Sequence, residues 1–160
     1  MNNILGEGGF AKVYKVVCKE NGKEYALKVM PKEELLKDKE KKLQTVLNEI
    51  RIHRQLCHSN ICKFELCFED EMNIYIILEF CTKNSLFQFL KETNSEGLTE
   101  YEIKYFMFEV LKAMLFLNSK HIVHRDLTLQ NIFLDDNMNG KLGDFGLSAK
   151  INETDEPLTC

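Results

Sequence analysis

A chain of 160 residues can fill one domain or two small lobes, and a hydrophobic content of 44% is that of an ordinary globular protein. Its 21 basic and 25 acidic side chains leave a net charge of −4, which removes the electrostatic case for nucleic-acid binding. No apolar run reaches the ~20 residues needed to cross a bilayer, and Met1-Asn2-Asn3 leads into a strand pattern instead of a signal peptide; neither nucleic acid nor membrane is an expected partner, and the expected compartment is cytoplasm or nucleus.

The chain opens with Ile4-Leu5-Gly6-Glu7-Gly8-Gly9-Phe10-Ala11-Lys12-Val13-Tyr14, which reads as strand, glycine turn, strand. Glycines at 6, 8 and 9 let backbone N–H groups approach a polyphosphate without Cβ obstruction. A dinucleotide fold would place a helix directly after the glycines, yet Val13, Lys15 and Val17 alternate with Tyr14 and Val16 as a strand does. The turn therefore belongs to a hairpin. Asn21-Gly22 reads as a two-residue turn into a third strand over 23–30 that carries Ala26 and Lys28.

Pro31 stops that strand, and 32–56 is rich in strong helix formers. The part through Lys42 is mostly charged and expected to be exposed. Leu43, Val46, Leu47, Ile50 and Leu56 recur at helical spacing and predict one buried face. Glu49 lies beside that face and can point back toward Lys28; the competing assignment pairs it at the surface with His53, one turn on. Two further strands are expected over 60–68 and 73–79, separated by Glu69-Asp70-Glu71-Met72, giving a five-stranded antiparallel sheet packed on the helix.

A short helix is expected over 85–91, then a loop at 94–97. Thr99 and Glu102 form a capping box for a long helix to about Asn118. That helix carries Ile103, Phe106, Met107, Phe108, Val110, Leu111, Met114, Leu115, Phe116 and Leu117, apolar around nearly its whole circumference, which predicts burial on all sides. The rest of the chain does not supply enough helices to cover it, so the sequence is expected to be incomplete. The six cysteines at 18, 57, 62, 67, 81 and 160 lack the repeated pairs of structural zinc sites, and they sit in apolar runs where a free thiol behaves as a small hydrophobe.

The stretch His124-Arg125-Asp126-Leu127-Thr128-Leu129-Gln130-Asn131 is followed by a small hairpin, 132–134 and 141–143 around Asn139-Gly140, and then by Asp144-Phe145-Gly146. An Asp and an Asn five apart, with a second Asp after a short apolar strand, gather three oxygen-bearing side chains able to grip hard cations and a hydroxyl. That is the chemistry of phosphoryl transfer.

These motifs, in this order, resemble those of eukaryotic protein kinases. The Gly-x-Gly-Gly-Phe-Ala-Lys-Val-Tyr loop, the Phe-Glu-Asp turn at 68–70, Tyr105-Phe106-Met107 and Gly143-Asp144-Phe145-Gly146-Leu147 look like those of the polo-like kinases. His-Arg-Asp-Leu-Thr-Leu, with Thr128 where Ser/Thr kinases usually carry Lys, resembles the divergent polo branch linked to centriole duplication. The resemblance implies an α+β kinase-like fold, with an N-lobe and the start of the hinge over 1–81 and a partial helical C-lobe over 82–160.

It further implies a Ser/Thr kinase catalytic region that moves the γ-phosphate of ATP to protein Ser/Thr with Mg2+, under an upstream activating kinase. Cell-cycle or centriole work and a location at the centrosome or centriole would follow. By the same resemblance Leu5, Gly6, Glu7, Gly8, Gly9, Phe10, Ala11, Lys12, Val13, Ala26 and Lys28 line the ATP site, and backbone groups of Glu79 and Cys81 face the adenine edge. Lys28, Glu49 and Asp126 are the catalytic set, and Asn131 and Asp144 hold the metal. Thr159 is the candidate for activating phosphorylation, and the chain stops just before the expected Gly-Thr-Pro and Ala-Pro-Glu elements. The alternative is a nucleotide-binding pseudokinase or regulatory fragment without turnover.

Overall fold

The computed structural model describes residues 4–9, 11–37, 41–92 and 97–151. Five strands, β1 (Ile4–Gly8), β2 (Ala11–Val17), β3 (Glu24–Pro31), β4 (Phe64–Glu69) and β5 (Asn73–Glu79), form an antiparallel sheet in the order β1-β2-β3-β5-β4. Helices α1 (Lys32–Leu36) and α2 (Lys41–His53) follow β3. Met30, Ile74 and Ile76 of the sheet pack with Leu35 of α1 and Val46 of α2 in one core.

The second half begins with α3 (Leu86–Glu92) and α4 (Glu100–Ser119), then the short strands β6 (Ile122–Val123), β7 (Ile132–Leu134), β8 (Gly140–Leu142) and β9 (Ala149–Lys150). β7 pairs with β8, and β6 with β9. The Thr99 hydroxyl accepts the Glu102 N–H while the Glu102 carboxylate accepts the Thr99 N–H, so the expected capping box closes the start of α4. A second core joins Ile52, Leu56 and Ile61 to Ala113 and Leu117 of α4 and to Leu142 and Phe145.

Several expectations need correction. Leu35, inside the stretch expected to be exposed, is fully buried, because α1 packs it against Met30, Ile74 and Ile76 of the sheet and Val46 of α2. Leu47 is exposed, whereas Ile52 and His53 are buried and close the helix's inner face. The strand expected from Asn60 starts at Phe64, since residues before it bond to β8 instead: Cys62 N–H donates to Leu142 O, and Leu142 N–H to Asn60 O. The turn at Asn21-Gly22 is a four-residue loop closed by Cys18 and Lys23. That of the β7–β8 hairpin spans Asp135 to Asn139, where the Asp135 carboxylate caps the Asn137 and Asn139 N–H groups.

The largest difference concerns α4. Phe106, Val110, Ala113 and Leu117 make one buried stripe, together with Glu109, whose carboxylate accepts the Gly140 N–H. Ile103, Met107, Phe108, Leu111 and Leu115 are exposed. Circumferential hydrophobicity predicted cover on every side; among the described residues only one side is covered. Cys57 and Cys67 are exposed as well, while Cys62 and Cys81 are buried.

Candidate active site

Lys28 stands mid-strand in β3, opposite Val13 of β2 and Ile76 of β5. Directly opposed residues share a sheet face, as do alternate residues along a strand. Val13, Ala26, Lys28 and Met30 therefore line the side that carries α2. From there the Lys28 ammonium reaches Glu49 Oε1 at 2.6 Å and lies 3.7 Å from Asp144 Oδ1. Glu49 is 4% exposed, which overturns its pairing with His53 at the surface.

Burial alone would lower the Lys28 amine, but the Glu49 and Asp144 carboxylates outweigh it and hold the amine above its ordinary value. Burial pushes the Glu49 carboxyl the other way, above the usual carboxylate range, with Lys28 opposing and Asp144 adding to the rise. The two directions disagree about how firmly Glu49 stays ionised. The 2.6 Å contact favours the charged pair, since a neutral carboxyl would leave a buried ammonium with only the half-exposed Asp144.

The loop after β6 is fixed through His124, which is 1% exposed. Its Nε2–H donates to Gly143 O at 3.0 Å, and its Nδ1 accepts the Asp126 N–H at 3.3 Å, a neutral tautomer in keeping with a value that burial lowers. Asn131 Nδ2 donates to both Asp126 O (2.9 Å) and Asp126 Oδ2 (2.8 Å), and Asn131 O accepts the Gly143 N–H at 2.8 Å. Asp126, Asn131 and the residue preceding Asp144 are thus one bonded unit. Asp144 itself has φ +56 and Arg125 φ +68, conformations that cost on the order of 1–3 kcal/mol each and are held by the surrounding bonds.

In the glycine hairpin, a Cβ added at Gly6, Gly8 or Gly9 would meet nothing within 4 Å, and Gly9 has φ +55. Leu5 sits in a bulge between Ile4 and Gly6, Glu7 pairs with Lys12 at 3.1 Å, and Ala11 is buried under the sheet. At the far end of β5, the Glu79 N–H donates to Lys63 O, and its side chain points to Lys141 (2.9 Å) and to the Lys63 N–H. Cys81 O accepts the Asn84 N–H at 3.4 Å. Phe10 and Thr159 lie outside the described residues.

Sequence reasoning missed the groups that lock this cluster. His53 donates Nε2–H to Cys62 O at 2.7 Å, and its ring lies 4.6 Å from that of Phe145 and 5.6 Å from that of Phe64. The His124 ring lies 5.0 Å from Phe145 on another side. Asn48 donates to Ser148 O, and Ser148 Oγ to His124 O. His53 lies four residues after Glu49, so the same helical face carries both; that spacing is the available signal, and the sequence reading uses it only for the competing surface pair.

Residues 1–159 match the family model described as protein kinase domain. Over 156 residues the chain is 44% identical to a probable serine/threonine-protein kinase PLK of Dictyostelium discoideum, covering 98% of this chain and 15% of that protein. It is 40% identical over 148 residues to the serine/threonine-protein kinase polo of Drosophila melanogaster (92% of this chain, 25% of that protein). It is also 40% identical over 158 residues to the cell cycle serine/threonine-protein kinase CDC5/MSD2 of Saccharomyces cerevisiae (98% and 22%). The chain spans a quarter or less of the length of these relatives. Among the described residues no helix is long and apolar enough to cross a membrane.

Proposed function

The chain belongs to the protein kinase domain family, and from that premise we propose that it forms the ATP-binding and catalytic region of a polo-like serine/threonine kinase. The observation that carries the proposal is the convergence of Lys28, Glu49 and Asp144, from β3, α2 and the segment after β8, within 3.7 Å of one ammonium. Asp144 takes a positive φ where its carboxylate faces the Lys28 ammonium.

Lys28 would grip the nucleotide phosphates, with Glu49 fixing its ammonium. The open space above Gly6, Gly8 and Gly9 leaves room for a triphosphate beneath backbone donors. Leu5, Val13 and Ala26 would pack on the adenine, whose edge would meet backbone groups of Glu79 and Cys81; Glu7, Ala11 and Lys12 would belong to the strands that carry the loop over it. Asp126 Oδ2 is occupied by the Asn131 amide, which leaves Oδ1 to accept the proton of a substrate Ser or Thr hydroxyl. Asn131 uses its Nδ2 as donor, which leaves its side-chain oxygen free of that bond; with the Asp144 carboxylate it would hold Mg2+. When bound, the ion would neutralise charge on the transferring phosphate.

In this reading residues 1–81 are the N-lobe with the start of the hinge, and 82–160 part of a C-lobe. Thr159 is the proposed site for an upstream activating kinase; cell-cycle work is the proposed setting, in line with the name of the Saccharomyces cerevisiae relative, and the centrosome or centriole is its proposed place.

The test is phosphoryl transfer from labelled ATP to Ser/Thr peptides, with Mg2+, by a chain continued to the relatives' kinase length. Lys28→Met and Asp126→Asn should each lower the rate by about 10²–10³. Mg-ATP binding without transfer would favour the regulatory alternative, and no Mg-ATP thermal shift would overturn the reading.

A further inference from the structure

The two cysteines that are buried among the described residues face each other through thiols that the phosphoryl-transfer chemistry does not use. Cys62 Sγ and Cys81 Sγ are 3.7 Å apart, one before β4 and the other just after β5. Both are nearly buried, at 5% and 7% exposed, so the contact is sheltered from competing thiols. Cys62 cannot swing away. Its N–H donates to Leu142 O, its carbonyl accepts from His53 Nε2, and its sulfur lies 3.3 Å from the place a Cβ on Gly143 would occupy.

We propose that Cys62 and Cys81 are an oxidation site, closed to an intramolecular disulfide by a hydroperoxide. A disulfide needs its sulfurs about 2.05 Å apart, so closure requires an approach of under two ångströms, within reach of side-chain rotation. The step balances as two thiols plus one hydroperoxide giving one disulfide, one alcohol and one water. The Cys81 thiolate attacks the O–O bond, expelling alkoxide that leaves as the alcohol, and becomes a sulfenic acid. The Cys62 thiol then attacks that sulfur as its proton passes to the departing hydroxide, which leaves as water. The two thiols lose two electrons and two protons; the peroxide bond takes both electrons.

Cys81 has the role of first attacker because its side chain lies a little nearer solvent, at 7% against 5% exposed, while contact with Cys81 and burial push the Cys62 thiol up. Cys57 and Cys67 are the more exposed thiols, but no sulfur contact is found for them among the described residues. They are expected to stop at the sulfenic acid or be reduced again. Once closed, the bond would tie the segment entering β4 to the crossing between the two halves of the chain, alongside the backbone that presents Asp144.

The test is oxidation of the reduced 160-residue chain with hydrogen peroxide, in buffer and in denaturing urea, followed by alkylation and non-reducing peptide mapping. In buffer the expected product is a cross-linked peptide joining Cys62 to Cys81, lighter than its parts by two hydrogens and released by dithiothreitol. In urea the pairings should scatter over the cysteines. Cys62→Ser and Cys81→Ser should each abolish the link, the first leaving Cys81 at the sulfenic acid and the second leaving Cys62 open to alkylation after unfolding. The same pairings in both solvents, or two thiols that alkylate fully after native oxidation and unfolding, would overturn the proposal. Circular dichroism before oxidation confirms that the chain in buffer is folded.

Discussion

The Lys28 ammonium and the Glu49 carboxylate meet at 2.6 Å although 21 positions separate them, and both are nearly closed to water. Removing one member of such a pair strands the other in a poor solvent. Glu49→Gln is expected to lower stability by about 3–5 kcal/mol, read from the urea midpoint. Glu34→Gln breaks an exposed contact of the same length with Lys37 and should leave the midpoint where it was. Equal midpoints for the two variants would show that burial is not what gives the Lys28 pair its weight.

Stability should fall in mild acid through His53. Burial pushes its imidazole down to about 4, from an ordinary 6.5 in the unfolded chain. A lowered folded value means that the unfolded chain takes the proton first. The contribution is therefore whole above about pH 6.5, shrinks as pH falls, and is gone near pH 4, amounting to up to about 3 kcal/mol. His124 and His58, also held low by burial, act in the same direction. Urea midpoints at pH 7 and pH 4.5 should differ less in His53→Leu than in the parent; matching differences would sink the assignment.

Gly143 is tight. A Cβ there would lie 2.8 Å from Phe133 Cε2, against 3.6 Å for the nearest atom at Gly140. Gly143→Ala is expected to cost about 1–3 kcal/mol by overpacking, and Phe133→Leu in the same chain should recover part of that. Gly140→Ala meets only ordinary contact distances and should cost less. Thermal midpoints of the three variants and the parent decide it.

The outer side of α4 should govern association. Phe108 and Leu115 are 63% and 69% exposed, and apolar patches of this kind draw copies together. Phe108→Lys with Leu115→Lys is expected to lower light scattering at high protein concentration without moving the urea midpoint. Unchanged scattering would place the association elsewhere.

What the sequence disclosed tracks how local the cause is. The glycine hairpin, the alternation around Lys28, the Thr99–Glu102 box and the 124–131 loop with Asp144 are written within a few residues, and the elements formed at those places. The family resemblance supplied the meeting of Lys28 with Glu49. What stayed hidden depends on partners far along the chain. Leu35 was masked by charged neighbours, and Asn60 to Cys62 bond to β8 some 80 residues later. His53 is buried because Cys62 O needs a donor and Phe145 needs a ring beside it. Apolar periodicity in α4 reported which residues can be buried, not whether anything arrives to bury them.

The bond from His53 to Cys62 O gives α2 an uneven freedom. Small rocking stretches the bond and is resisted, while a larger swing breaks it and leaves a buried carbonyl without a donor, a penalty of about 1–3 kcal/mol. The bond therefore holds α2 in its seat, and whatever unseats the helix must supply a replacement donor or let water in.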